Sequence, residues 1–471
     1  MIDLITNYNK GIYNNKINKN LKNFFETDNK NKEKAILIFI KIKHKKENRL
    51  SGLTGKIDIN EEIEELKSLT FSAGAYVEGL IVHNQIEPNP KYFISTGKLE
   101  ELKKQVENSD IDLVIFDSDL TSAQQSNLQD KLNIKVIDRT ALILDIFAQR
   151  AQSREGKLQV ELAQLNYILP RLRGKGVQLS RLGGGIGTRG PGEQKLEVDR
   201  RKIRKRISQL EEKINQIAIQ RDIQRKKREV SNIFLVSLVG YTNSGKSTIL
   251  NTITDSNVLV KDMLFSTLDS TTRRLKDPEM EEILLTDTVG FIEKLPHQLI
   301  ASFKSTLEEV RKADLLLLVV DVSNHNFENH ITSVKSVLKE IEVLQKPIIL
   351  VFNKIDKIDN KVLQKIKIKY RNAIFISALN KIGFGELHPK IKKMLDKNLI
   401  KITVKIPYSE SKLISFIHNN CEIKSTKYLE DSVIFLLNAN LKFCNQLSQY
   451  IYKESNSGRQ EEKVKYLKNI F

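Results

Sequence analysis

The chain lacks the features that would carry it through or into a membrane. No apolar run approaches the roughly 18 residues of a membrane-spanning helix, and stretches such as LLLLVVDV are strand length. The start, MIDLITNYNKGIYNNKINKN, has no hydrophobic h-region and no small-residue cleavage site, so no secretory leader and no integral membrane segment are expected. Cysteine is nearly absent. Cys421 and Cys444 are the only two, without metal-ligand spacing, which excludes a disulfide framework and fits a reducing cytoplasm. Acidic residues are outnumbered, 58 against 77 lysines and arginines, for a formal charge of +19.

That surplus is not spread evenly. Between Arg150 and Val230 stand 21 basic residues against 9 acidic ones, so this stretch holds twelve of the nineteen net charges. Clustering of this kind points to a polyanionic partner, nucleic acid first. The 471 residues exceed one typical core, and with 40% hydrophobic and 29% charged residues they read as two to four globular domains.

Residues 1–33 are Asn/Lys-rich and are expected to be poorly ordered. Over 34–149 the apolar runs AILIFIKI, YVEGLIV, DLVIF and IKVID alternate with helical patterns, which predicts a parallel α/β subdomain. Over 150–230 Leu158, Leu162, Leu165, Leu169 and Leu172 recur at heptad spacing, and Ile203, Ile207, Leu210, Ile214 and Ile217 do so again. Two heptad stretches around a glycine-rich turn predict an antiparallel helical hairpin, basic on its outside. Pro170 should kink the first helix near its end. The second is expected over Leu196–Ile219, about 35 Å long. Strand–helix alternation returns over 231–397, and ITVKIPY and DSVIFLLNA suggest a small α+β domain over 398–471.

The hairpin turn, GGGIGTRGPGE, contains G-x-G-x-x-G at Gly185, Gly187 and Gly190. A dinucleotide loop must follow a strand and open a helix. Here the glycines follow a helical stretch, and Pro191 removes an amide donor. The segment therefore reads as a tip for RNA: backbone without Cβ approaches phosphates and bases closely. Arg181 and Arg189 supply fork-shaped donors there, and Arg200, Arg201 and Arg204 continue the charge down the stem.

A stronger phosphate loop is GYTNSGKS. It comprises Gly240, Tyr241, Thr242, Asn243, Ser244, Gly245, Lys246 and Ser247, and stands between the apolar run IFLVSLV and a helical stretch. In G-x-x-x-x-G-K-S the loop amides close around phosphates, the lysine reaches the β and γ oxygens and the serine hydroxyl ligates Mg²⁺. Downstream, Asp287, Thr288, Val289 and Gly290 form D-x-x-G after a strand. The carboxylate can hold Mg²⁺ through water, and the Gly290 peptide can turn toward a γ-phosphate. Asn353, Lys354, Ile355 and Asp356 form N-K-x-D. Asp356 can accept both N–H groups of a guanine edge, a donor pair that adenine lacks. Ser377, Ala378 and Leu379 follow another strand, near the base. In this order and spacing the motifs resemble those of the translation-factor class of GTPases. Between loop and D-x-x-G lies FSTLDSTTRR, where Thr267, Thr271 and Thr272 all compete for the metal. Glutamine is missing directly after D-x-x-G; Phe291 stands there and cannot orient water. The candidate catalytic groups are Lys246, Thr267, Gly290 and Asn243, the last through a bound K⁺ that would stabilise β–γ charge. His297 reads as structural.

RLGGGIGTRGPGEQKLEVDRR, GYTNSGKST, LFSTLDSTTR, DTVGFIEKLPH and NKID, with KLQVELAQL and YFISTGKLEEL before them, resemble the HflX family of ribosome-associated GTPases over roughly residues 70–395. The resemblance implies GTP contacts at Gly240–Ser247, at Phe265, Ser266, Thr267, Leu268 and Asp269, and at the three later motifs, with Mg²⁺ on Ser247 and Thr267. It also implies the α/β fold of a P-loop GTPase domain, a cytoplasmic, ribosome-associated monomer, and contact with large-subunit RNA. Splitting or rescue of stalled ribosomes under stress follows from it, and so does a slow ATPase activity that the guanine argument does not predict. Peripheral membrane contact stays compatible with the sequence. The alternatives are a GTPase assisting tRNA modification, whose resembling members carry a catalytic cysteine near the C-terminus, and an RNA-binding module that nucleotide merely stabilises. Cys444 lies well inside an end that reads KYLKNIF, which counts against the first.

Overall fold

The computed structural model describes residues 33–42, 59–172, 191–229, 233–254, 264–275 without 266, 283–292, 304–396, 399–440 and 444–452 without 445 and 446. The N-terminal part runs β1 (Lys34–Ile42), α1 (Ile59–Ser72), β2 (Tyr76–Gln85), α2 (Thr96–Asn108), β3 (Leu113–Phe116), α3 (Ser122–Leu132) and β4 (Lys135–Asp138). Its four strands are all parallel, in the order β2-β1-β3-β4. Ala35 and Leu37 pack on one face, and Ile36, Ile38 and Ile40 on the other. A strand covered on both faces has to be apolar throughout, which is why β1 reads as an unbroken run. Helix starts are written locally. Ser95 accepts the Lys98 amide ahead of α2, and Thr121 and Gln124 form a reciprocal capping box ahead of α3.

α4 (Arg139–Arg150) leads into α5 (Arg154–Arg171), and α6 (Pro191–Glu229) returns antiparallel beside it. Arg206 pairs with Glu161, Arg221 with Glu155, and Leu162, Leu165 and Leu210 form the seam with Leu158, Ile203, Ile207 and Ile214 beside them. The heptads thus meet as their spacing requires. α6 is longer than the expected Leu196–Ile219: its 39 residues span roughly 58 Å. Its flanks are rich in Lys, Arg, Gln and Glu, strong helix formers without any heptad, and Pro191 suits a first helical position. The glycine-rich turn before Pro191, with Arg181 and Arg189, lies outside the described residues.

The next sheet runs β5 (Phe234–Gly240), α7 (Lys246–Thr254), β6 (Thr271–Arg274), β7 (Ile283–Asp287), α8 (Lys304–Lys312), β8 (Leu315–Asp321), α9 (Phe327–Glu340), β9 (Ile348–Asn353), α10 (Asn360–Lys369), β10 (Ile374–Phe375) and α11 (Phe384–Asp396). The strand order is β10-β9-β8-β5-β7-β6, parallel except for β6. The last part runs β11 (Leu399–Pro407), α12 (Ser411–Asn420), β12 (Glu422–Tyr428) and β13 (Ser432–Asn440), an antiparallel sheet ordered β11-β13-β12. No described helix is long and apolar enough to cross a membrane.

One apolar cluster joins the first two sheets. It takes Leu37, Leu66 and Phe147 from one side, Leu318 and Val334 from the other, and Tyr241, Phe265 and Phe291 between them. The hairpin is fastened to the first sheet by a buried carboxylate. Asp138, at the end of β4, accepts the amides of Leu120 (3.2 Å) and Ala141 (2.9 Å), the Tyr167 hydroxyl (2.9 Å) and the Arg171 guanidinium (2.9 Å). Tyr167 and Arg171 belong to α5, and the guanidinium also stacks 3.4 Å over the Tyr167 ring. Asp138→Ala removes one partner of a buried pair and should lower local stability by about 3–5 kcal/mol. Amide exchange in α5 measures this, and a change under about 1 kcal/mol, the scale of a surface pair, would show that the fastening lies elsewhere.

Candidate nucleotide-binding site

The phosphate loop leaves the carboxyl end of β5, a central strand, and enters α7. Such a turn needs backbone that side chains resist, and Asn243 (φ +57) and Gly245 (φ +91) lie in the left-handed region. At Gly245 the freedom is also steric, because a Cβ would overlap the Asn353 amide. Asn353 is buried and donates to the Ser244 carbonyl (2.9 Å) while its oxygen accepts the Ala378 amide (3.0 Å). One side chain therefore binds phosphate loop, N-K-x-D and the Ser377–Leu379 loop together. Lys354 adds a second tie, donating to the Asn243 carbonyl (2.8 Å) and pairing with Asp321 (2.7 Å). Lys246 is buried, with Nζ donating to the carbonyls of Gly240 (3.2 Å) and Tyr241 (2.8 Å). Burial pulls its pKa down to about 8, against the opposing pull of Asp287.

Asp287 ends β7 fully buried. Its Oδ2 accepts the Ser247 hydroxyl (2.6 Å), and Thr267 Oγ1 lies 2.8 Å from the same Ser247 oxygen. Burial pushes the Asp287 carboxyl above the usual carboxylate range, opposed by Lys246 and by hydrogen bonds from Ser247 and Thr267. Its Oδ1 is buried with no partner. Two hydroxyls and a carboxylate with one unpartnered oxygen form the hard-oxygen donor set that Mg²⁺ takes, with phosphate and water to complete the shell. The residues therefore fit the metal. Of the three competing threonines, Thr267 is the one against Ser247. Thr271 and Thr272 lie in β6, where Thr272 Oγ1 is 2.9 Å from Thr286 Oγ1.

Thr288 is buried and donates to the Leu238 carbonyl (2.6 Å); Val289 is half-buried. Gly290 lies against the phosphate loop, where a Cβ would come within 2.8 Å of Thr242 Cα and 3.1 Å of Lys246 Nζ. Phe291 bridges to the same loop. Its carbonyl accepts the Thr242 amide (2.7 Å), its amide donates to Gly240 (3.1 Å), and its ring is buried. Thr242, Lys246, Ser247, Phe265, Thr267 and Gly290 line a cavity of about 40 Å³. A larger one of about 240 Å³ lies beside it, between the loop and α1, lined among others by Glu61, Glu65, Asn243 and His330. The smaller is the one lined by the lysine and serine of the phosphate loop.

Asp356 sits in the short turn Ile355–Lys357 after β9, and Ile355 donates to the Ile376 carbonyl (3.3 Å). Ser377 and Ala378 are buried and Leu379 is 76% exposed. Leu268 is buried, and Phe265 packs edge-on against Phe147 of α4 at 4.7 Å. Asp269, expected beside the nucleotide, has its carboxylate on the start of α5 instead. Ser266 and His297 lie outside the described residues. On α6, Arg200 turns inward to the Leu172 carbonyl (3.4 Å), whereas Arg201 and Arg204 are exposed. Sequence reasoning missed Glu65, which contacts both Arg139 and the Tyr241 hydroxyl, and Ser153, which donates to Asp269. Neither carries a local signature, since both act across distant segments.

A phosphate loop on a central parallel strand, D-x-x-G beside it and N-K-x-D on the next strand but one define a P-loop GTPase. Residues 60–148 match the family described as GTP-binding GTPase N-terminal, residues 150–228 the GTP-binding GTPase middle region, and residues 235–354 the 50S ribosome-binding GTPase. GTPase HflX of Caldanaerobacter subterraneus subsp. tengcongensis is 45% identical over 422 residues, covering 90% of this chain and 94% of that one. GTPase HflX of Escherichia coli strain K12 is 41% identical over 378 residues, 80% and 89% of the two chains. A solved GTP-binding protein from the archaeon Sulfolobus solfataricus, in complex with GDP, is 27% identical, covers 77% of this chain and 98% of its own, and has a TM-score of 0.41. The chain belongs to the HflX family of GTPases.

Two substitutions test the site. Asp356 is exposed, open to an incoming base, and Asp356→Asn should weaken GTP binding by about 1.5–3 kcal/mol, the loss of charge-assisted hydrogen bonds to that base, and open the site to xanthine nucleotides. Unchanged affinity in a fluorescent-nucleotide titration would remove Asp356 as the base reader. Ser247→Ala should raise the Mg²⁺ concentration needed for GTP binding; an unshifted Mg²⁺ titration would contradict its placement on the metal.

Proposed function

We propose that the chain binds GTP through the residues gathered at the phosphate loop and hydrolyses it while attached to the large ribosomal subunit, splitting or rescuing stalled ribosomes. The observation that carries the ribosome reading is the match of residues 235–354 to the 50S ribosome-binding GTPase family, supported by the basic outer face of α6. Arg201, Lys202, Arg204 and Lys205 are exposed there, opposite the apolar seam. Phosphate contacts of this kind supply sequence-independent, salt-dependent affinity. The proposed division is an α/β subdomain over 34–149, a basic hairpin over 150–230 whose sequence includes Arg181 and Arg189, a GTPase domain over 231–397 and a C-terminal domain over 398–471. The protein acts as a cytoplasmic monomer.

Within the GTPase domain, Lys246 and the loop amides hold the β and γ phosphates, Asp356 reads guanine, and Gly290 donates its amide to the γ-phosphate. Ser247 and Thr267 hold Mg²⁺ directly and Asp287 holds it through water. The ion neutralises charge on the β and γ oxygens. Phe291 leaves the water-positioning role to another group, and Asn243, which is exposed at the mouth of the loop, holds a K⁺ that stabilises the β–γ charge.

Sedimentation with separated ribosomal subunits tests the reading. The protein should travel with large subunits in a non-hydrolysable GTP analogue and less so in GDP; no cosedimentation in either state would refute it. Removing the charges of Arg201 and Arg204 should lower the log–log salt slope of that binding by roughly one unit per lost phosphate contact. Turnover should be slow in NaCl, faster in KCl and faster again with large subunits. Equal rates in all three would mean that the chain supplies the missing polar group itself.

A further inference from the structure

The segment from Phe265 to Asp269 is held at three points, and one of them is the metal-side threonine. At its start Phe265 lies in the left-handed region (φ +54), an uncommon conformation for a bulky residue, and its ring is 2% exposed against Phe147 of α4. In the middle Thr267 meets Ser247. At its end the Asp269 carboxylate accepts the amides of Gln152 (2.9 Å) and Ser153 (2.7 Å) and the Ser153 hydroxyl. Ser153 is the N-cap of α5, and its oxygen in turn accepts the Gly156 amide (2.8 Å). The hydrogen bonds form a chain from Gly156 N–H to Ser153 Oγ–H to Asp269. A carboxylate is well suited to that place, where a helix presents unpaired amides and the positive end of its dipole.

Gly156 is the counterpart of this anchor. Glycine inside a helix is about 1 kcal/mol less favourable than alanine. Here a Cβ would overlap the Asp269 carboxylate, so the glycine gives the carboxylate its room. Two residues of chain reach at most roughly 7 Å. With Asp269 held by three donors, Thr267 has little freedom to leave Ser247 unless the anchor also moves.

We propose that Asp269 is a positioning residue for GTP hydrolysis: its carboxylate, fixed on the first turn of α5, holds Thr267 in place against Ser247 and Asp287. The same link joins the metal side of the site to the base of the hairpin. The proposal rests on the assignment of Thr267 to Mg²⁺, and the experiment separates the two.

The full-length protein is compared with Asp269→Ala, Asp269→Asn, Gly156→Ala, the double variant Asp269→Ala/Gly156→Ala, and Thr267→Ala. Each is assayed for kcat and KM, for the Mg²⁺ concentration at half-maximal rate, and for GDP affinity. Asp269→Ala should lower kcat about tenfold and raise the Mg²⁺ half-saturation with GDP affinity unchanged, as befits an interaction needed only on the way to the transition state. Asp269→Asn, which keeps one acceptor oxygen, should restore part of the rate. Gly156→Ala should reproduce the loss by displacing the carboxylate. In the double variant Gly156→Ala should add no further loss of rate and should raise the melting temperature above that of Asp269→Ala alone, because the clash is gone and alanine favours the helix. A kcat and Mg²⁺ half-saturation within twofold of the parent in Asp269→Ala, or losses that multiply in the double variant, would overturn the proposal. If Thr267→Ala leaves the Mg²⁺ titration unshifted, the metal assignment itself fails and the proposal falls with it. A normal loss in Thr267→Ala alongside an unaffected Asp269→Ala removes the anchor alone.

Discussion

Asp287 is the constraint around which the site is arranged. A carboxylate with no exposure and one unpaired oxygen is costly to bury unless cationic charge comes to it. Ser247 and Thr267 offer hydroxyls, which orient but do not neutralise. Lys246 brings charge, yet it is buried too, and its proton is held less firmly for that reason. Two buried, opposite and incompletely satisfied charges at the end of a central sheet form a poor structural pair and a good receptor. In the proposed function phosphate would answer the lysine and a divalent cation the carboxylate, so that the ligand would complete electrostatics that the chain leaves open.

The consequence spreads outward because the segments that reach Asp287 are also packed elsewhere. Thr267 is flanked by Phe265 on α4 and Asp269 on α5. Tyr241, the second residue of the phosphate loop, stacks on His330 of α9 at 3.8 Å and contacts Glu65 of α1 through its hydroxyl. Glu65 also contacts Arg139, which pairs with Asp117 at 2.7 Å at the end of the first sheet. The apolar cluster that runs under these contacts belongs to both sheets at once. Although the sequence divides naturally into successive units, the core does not divide at the same place.

What could be read in the sequence was what chain-local physics decides. The phosphate loop is legible because strand, turn and helix N-terminus adjoin in sequence, and the two heptads are legible because a seam repeats along each helix. The competition among Thr267, Thr271 and Thr272 could not be decided from residue type, since all three are alike in chemistry. The fold sets them apart: β6 takes Thr271 and Thr272 into the ladder with β7, and Thr267 lies before it, with its hydroxyl against Ser247. Strand β12, EIKSTKY, gave no signal, because an edge strand with most of its residues exposed needs no apolar alternation. The partner of Asp269 was out of reach for another reason. Ser153 lies 116 residues away, and a carboxylate that caps a distant helix looks in sequence like one that faces a nucleotide.

Phe291 shows how far the packing limits the chemistry. In the position where many GTPases carry a water-orienting glutamine, this chain places a ring in the shared core and commits both backbone groups of that residue to the phosphate loop. Turning the ring outward would open the cluster that joins the two sheets, and moving the backbone with it would release the Thr242 amide, so the position cannot serve alternately as core and as catalyst. A group that orients the attacking water has to come from a segment that is not already part of this core. The exposed mouth of the phosphate loop, at Asn243, is the side from which an ion or a side chain of another molecule can arrive without unpacking it. Under the proposed reading, the residue that consolidates the two halves of the protein is thus the one that leaves the water-orienting role to what binds there.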